Sequence, residues 1–94
     1  MSDAVRLLIP IEGAYRSLGV EMARKYLELA GGSQQEADAL ADAVTGALTR
    51  FAGRTPADAE VALAFAHEAG SIDVEVRCAG QVDTITQPIP VRKP

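Results

Sequence analysis

The sequence predicts an α+β fold: a two-layer α/β sandwich with two helices packed on a small mixed or antiparallel sheet, in the order β-α-α-β-β-β. Three observations carry this expectation. Apolar residues recur at steps of three and four over residues 11–29, and again over residues 37–51. The period then falls to two across residues 61–78, as strands require. Gly31-Gly32 and Gly53-Arg54-Thr55-Pro56 punctuate the helical stretches where glycine and proline end helices.

Each element follows from local chemistry. Val5-Arg6-Leu7-Leu8-Ile9 is short, partly β-branched and closed by Pro10, which reads as a strand. A helix is expected over residues 13–30, with Ile11, Tyr15, Leu18, Met22, Tyr26 and Leu29 forming the stripe that faces the sheet. Ser33-Gln34-Gln35-Glu36 has the form of a capping box and opens a second helix reaching about residue 52. Its apolar face is Ala37, Leu40, Ala41, Val44, Ala47, Leu48 and Phe51. Val61, Leu63 and Phe65 alternate with alanines, and Ile72, Val74, Val76 and Cys78 alternate with Asp73, Glu75 and Arg77. With a turn at His67-Glu68-Ala69-Gly70, these two runs make a hairpin. A further strand is expected around residues 82–86. Residues 1–87 then form one domain, and 88–94, with Pro88, Pro90 and Pro94, an extended tail.

Bulk properties bound the function. The chain has 94 residues, 48% of them hydrophobic, but no Trp and only Tyr15, Tyr26, Phe51 and Phe65 as aromatics. A thin, alanine-rich core of this kind gains from a partner or a second copy of the chain. A net charge of −4, with both signs spread along the chain, argues against a nucleic-acid binder. The single cysteine, Cys78, excludes an internal disulfide. No run of 18 apolar residues and no charged-then-apolar leader occurs, so a cytoplasmic protein without membrane contact is expected.

Few residues offer chemistry. His67 stands in a turn without a second ligand at metal-binding spacing, and no metal or cofactor is expected. Cys78 reads as a half-buried strand residue rather than a nucleophile, since no basic partner is expected beside it. Gly31-Gly32-Ser33 lacks the lysine and the preceding strand of a phosphate loop, so capping accounts for it. On the second helix, Asp42, Gly46 and Arg50 are spaced by four and share a ridge; Asp42 and Arg50 read as solvated charge. Gly46 is the anomaly, because glycine inside a helix costs roughly 0.5–1 kcal/mol relative to alanine.

Ala43-Val44-Thr45-Gly46-Ala47-Leu48-Thr49-Arg50-Phe51, in its setting of strand, Pro, helix, Gly, capped helix and hairpin, resembles the helix motif of the anti-sigma-factor serine kinases. These belong to the GHKL, or Bergerat-fold, ATPases. The resemblance covers residues 5–80. It implies a histidine-kinase-like ATPase-type domain whose second helix once carried the glutamate that activates the nucleophile and the asparagine that holds Mg²⁺. Gly46 stands at the glutamate position and Arg50 at the asparagine position. The adenine-reading Asp-x-Gly corresponds to Cys78-Ala79-Gly80, which keeps Gly80 and loses the carboxylate. Arginine repels Mg²⁺, cysteine is a poor acceptor for the adenine amino group, and no ATP lid follows. Without these parts phosphoryl transfer has nothing to stabilise its charge.

The expected protein is therefore not an enzyme but a degenerate interaction and regulatory module. Its expected partners are a second copy of itself or a signalling protein of the sigma-regulator kind. Two alternatives are a small-ligand or residual nucleotide sensor using the old pocket, and a structural protein assembling through sheet edges. The expected interface is the outer face of the first helix: Arg16, Val20, Ala23, Arg24 and Leu27, where Val20 and Leu27 point away from the stripe assigned to the sheet.

Overall fold

The structure, a computed structural model, describes residues 5–56, 58–68 and 70–89. Its elements are β1 (Val5–Pro10), α1 (Gly13–Leu29), α2 (Gln34–Ala52), β2 (Glu60–Glu68), β3 (Ser71–Cys78) and β4 (Gln81–Pro88). The sheet is antiparallel throughout, in the order β1-β2-β3-β4, so β1 and β4 are its edges. The two-layer α+β sandwich expected from the sequence is the fold observed. α1 lies over β1 and β2, and α2 over β3 and β4.

Helix ends are set by local hydrogen bonds. The Gly32 N–H donates to the Leu27 carbonyl at 2.9 Å and the Gly31 N–H to the Glu28 carbonyl at 3.0 Å. With Gly31 at φ 96° this closes α1 in a Schellman arrangement, which only glycine adopts without strain. α2 opens on the expected capping box. The Glu36 N–H donates to Ser33 Oγ at 3.1 Å, and the Ser33 N–H donates to Glu36 Oε1 at 2.7 Å.

Strand alternation fills the core from below. Val61, Leu63 and Phe65 of β2 and Ile72, Val74, Val76 and Cys78 of β3 are buried under the helices. Register carries the same face outward to Leu7 and Ile9 on β1 and to Asp83 and Ile85 on β4. From above, α2 buries all seven residues of its expected stripe. Tyr26 of α1 reaches the sheet as well, its ring 5.6 Å from that of Phe65.

Three expectations need correction. α1 is rotated: the side chains it buries are those of Ala23 and Leu27, with Gly19 beside them, while Tyr15, Leu18 and Leu29 are exposed. Close packing explains the turn, because the small residues let the helix axis approach the sheet. A Cβ at Gly19 would lie 3.2 Å from Leu63 Cδ1 and 3.3 Å from Ile9 Cδ1. The second correction is that His67 and Glu68 pair with Ile72 and Ser71 inside the hairpin, which leaves a tighter turn. The third concerns the end of the domain. Ile89 is buried, and its N–H donates to the Gly70 carbonyl at 2.8 Å, so the fold runs past residue 87. The rest of the expected tail, residues 90–94, lies outside the described residues.

Candidate functional site

The α2 ridge singled out in the sequence is a fastening point. Gly46 is half-buried, and a Cβ there would meet Arg50 Nη1 at 3.6 Å, ordinary van der Waals contact. Arg50 is not free solvated charge: its Nη2 donates to Asp83 Oδ2 of β4. Asp83 sits opposite Val76, on the helix-facing side of the edge strand, and so meets the C-terminal half of α2. A pair this exposed stabilises by about 0.2–1 kcal/mol. Its chemistry is that of a cation already neutralised by a carboxylate, held across the position the resemblance assigns to a metal ligand.

Cys78-Ala79-Gly80 forms the corner between β3 and β4. Ala79 has φ 52° and Gly80 φ 80°, and Cys78 pairs directly with Gln81. Positive φ at both central residues marks a two-residue hairpin turn that matches the right-handed strand twist. Cys78 is buried, deeper than the half-buried position expected, which leaves its thiol little access to a ligand. Among the described residues, no group of three His, Cys, Asp or Glu side chains is arranged to hold a metal ion.

The patch expected on the outer face of α1 is not a continuous surface. Ala23 and Leu27 are both 0% exposed and belong to the core. Arg24 faces α2, where Nη1 donates to Asp38 Oδ1; this bond holds its pKa above the ordinary arginine value. The group is charged at any physiological pH, so the pair is no pH switch. Arg16 and Val20 face α2 as well, lining a groove of about 400 Å³ with Gly13 on α1 and Thr45, Leu48 and Thr49 on α2. Arg16 Nε is buried there with no hydrogen-bond partner. Leaving such a donor unsatisfied costs about 1–3 kcal/mol, more for a charged group.

What the sequence reading missed is the flank of α1 that faces away from α2. Tyr15 is 44% exposed, Leu18 54% and Leu29 88%, with half-buried Met22 between them. Because α1 overlies β1 and β2, this flank runs along the side where β1 presents its unpaired edge. The signal was present as Gly19 and Ala23, a small-residue spacing of four that marks the close-packed side and leaves the bulky stripe outside. No helix among the described residues is long and apolar enough to cross a membrane. No protein-family model matches the chain, and comparison with curated proteins and with solved structures finds no significant match.

Proposed function

We propose that this chain is a non-catalytic protein-interaction module that pairs with a second copy of itself through the outer flank of α1 and the adjoining edge of β1. The observation that carries the reading is the uncovered run of Tyr15, Leu18, Met22 and Leu29 beside an edge strand. Scattered surface leucines are ordinary, but large apolar residues aligned on one flank of a helix mark contact surfaces. A second copy suits this flank because a two-fold axis presents the same patch from both sides. One charge interrupts the run, exposed Lys25 between Met22 and Leu29, and its long flexible side chain can keep its ammonium in water while the apolar residues meet.

The resemblance to the anti-sigma-factor kinases supports a regulatory role, with a signalling protein of the sigma-regulator kind as a further partner. The Arg50–Asp83 pair supports the absence of catalysis, since a metal-bound nucleotide at that ridge would first have to displace a cation. Sedimentation of the wild type beside Leu18→Glu with Leu29→Glu tests the pairing. Both side chains are exposed, so the variant retains its fold. The wild type sediments as two chains and the variant as one, because an unpaired charge buried in an interface typically costs several kcal/mol. A monomeric wild type, or a double variant that remains paired, overturns the reading.

A further inference from the structure

We propose that the groove between α1 and α2 binds a small organic monocarboxylate with an apolar body, its carboxylate held by Arg16. This site is separate from the α1 flank: it opens on the opposite side of the helix, toward α2.

The guanidinium of Arg16 is the starting point. It has no ion-pair partner among the described residues, and its Nε is buried without an acceptor. Arg24, Arg50 and Arg77 each have a carboxylate, in Asp38, Asp83 and Glu75. The guanidinium in the groove thus has no protein acceptor among the described residues. Gly13 shapes its position. A Cβ at Gly13 would lie 3.1 Å from Arg16 Nη2, so the guanidinium occupies space that any other residue would fill. The first turn of α1 carries no acidic residue, and the Glu12 side chain makes no capping bond.

The rest of the lining selects the ligand. Val20 and Leu48 give apolar walls facing each other from the two helices. The Thr45 hydroxyl donates to the Ala41 carbonyl at 2.8 Å and so offers only its acceptor side, whereas the Thr49 hydroxyl has no partner among the described residues. Glu21 also lines the groove, with Arg24 Nε 3.9 Å from its Oε1. One cation and one carboxylate leave the site near neutral. Among the described residues Arg16 is the one cation lining the groove, so a singly charged carboxylate matches it, while a doubly charged phosphate would leave one charge unmatched. The planar arginine fork matches a carboxylate with two parallel N–H donors. A groove of about 400 Å³ lies within the range of small-molecule sites.

The test is a nuclear magnetic resonance titration of the full chain with hexanoate and with benzoate, and with inorganic phosphate in a parallel arm. The Arg16 Nε–H signal and the Thr49 amide report binding. Both carboxylates shift these signals saturably, and phosphate does not. Arg16→Gln abolishes the response, and Arg16→Lys, which keeps charge but loses the fork, weakens it about tenfold. Gly13→Ala also weakens it, by displacing the guanidinium, while the remaining spectrum shows the fold intact. Linear shifts without saturation, equal binding of phosphate, or an unchanged response in Arg16→Gln would each overturn the proposal.

Discussion

Two glycines inside helices show how differently one residue type is used. Gly46 drew attention because a helix interior favours alanine, yet the structure gives it little to do: only the Arg50 side chain lies near an added methyl. Gly46→Ala is therefore expected to stabilise the protein by up to about 1 kcal/mol through helix propensity and a less flexible unfolded chain. Chemical denaturation checks this, and a loss of stability would mean that something packs against that face. Gly19 is the opposite case. Leu63, Ile9 and Leu48 all end within 3.6 Å of where its Cβ would be. Gly19→Val inserts three carbons into that contact and is expected to destabilise by about 1–3 kcal/mol, as overpacked cores do. The anomalous residue was legible in both helices, but its reason was not. A glycine kept for close approach and one with open space beside it look alike until the opposing side chains are known.

The two helices differ in legibility for a physical reason. α2 carries a single apolar ridge bounded by Asp38, Asp42, Thr45 and Thr49, so periodicity alone identifies the buried face. α1 offers two ridges. One is bulky, through Tyr15, Leu18, Met22 and Leu29; the other is small, through Gly19 and Ala23 to Leu27. They differ by roughly 100° of rotation, the angle of a single residue. Hydrophobicity favours the bulky ridge, whereas packing density favours the small one, which brings the helix within reach of Leu63 and Ile9. Packing decides the orientation, and the expected interface at Ala23 and Leu27 becomes core as a result. Leu27 makes the distinction measurable. If it were an interface residue, Leu27→Ala would weaken association and leave the isolated chain stable. Buried at 0% exposure, it should instead cost about 2–5 kcal/mol in a denaturation curve measured under dissociating conditions. The same tight packing explains Gly32, where a Cβ would fall 2.1 Å from Leu27 Cδ2.

For the whole molecule, the sheet order and the helix orientation combine into one expectation. A chain of 94 residues with no Trp has a small core, and one layer of its sandwich is a sheet whose other face is uncovered. That outer face combines Ala62, Ala64 and Ala66 with charged Arg6, Asp73, Glu75 and Arg77, and it also exposes Leu8 at 62% and Val82 at 51%, which register places beside Ala62 and Arg77. The flank of α1 exposes three large apolar residues, Tyr15, Leu18 and Leu29, against two on the sheet face, and association is expected to bury it first. Pairing stabilises the folded state through mass action, because two folded chains associate and unfolded ones do not. The melting temperature of the wild type should therefore rise with protein concentration. Leu18→Glu with Leu29→Glu should melt at one temperature across the same range, since its folding no longer involves a second chain. The two lines should converge at high dilution, where the wild type has also dissociated and both variants report the intrinsic stability of the monomer. Parallel lines with the same slope would place the contact elsewhere on the molecule. Two flat lines would mean that the exposed leucines are surface residues with no partner in a second copy.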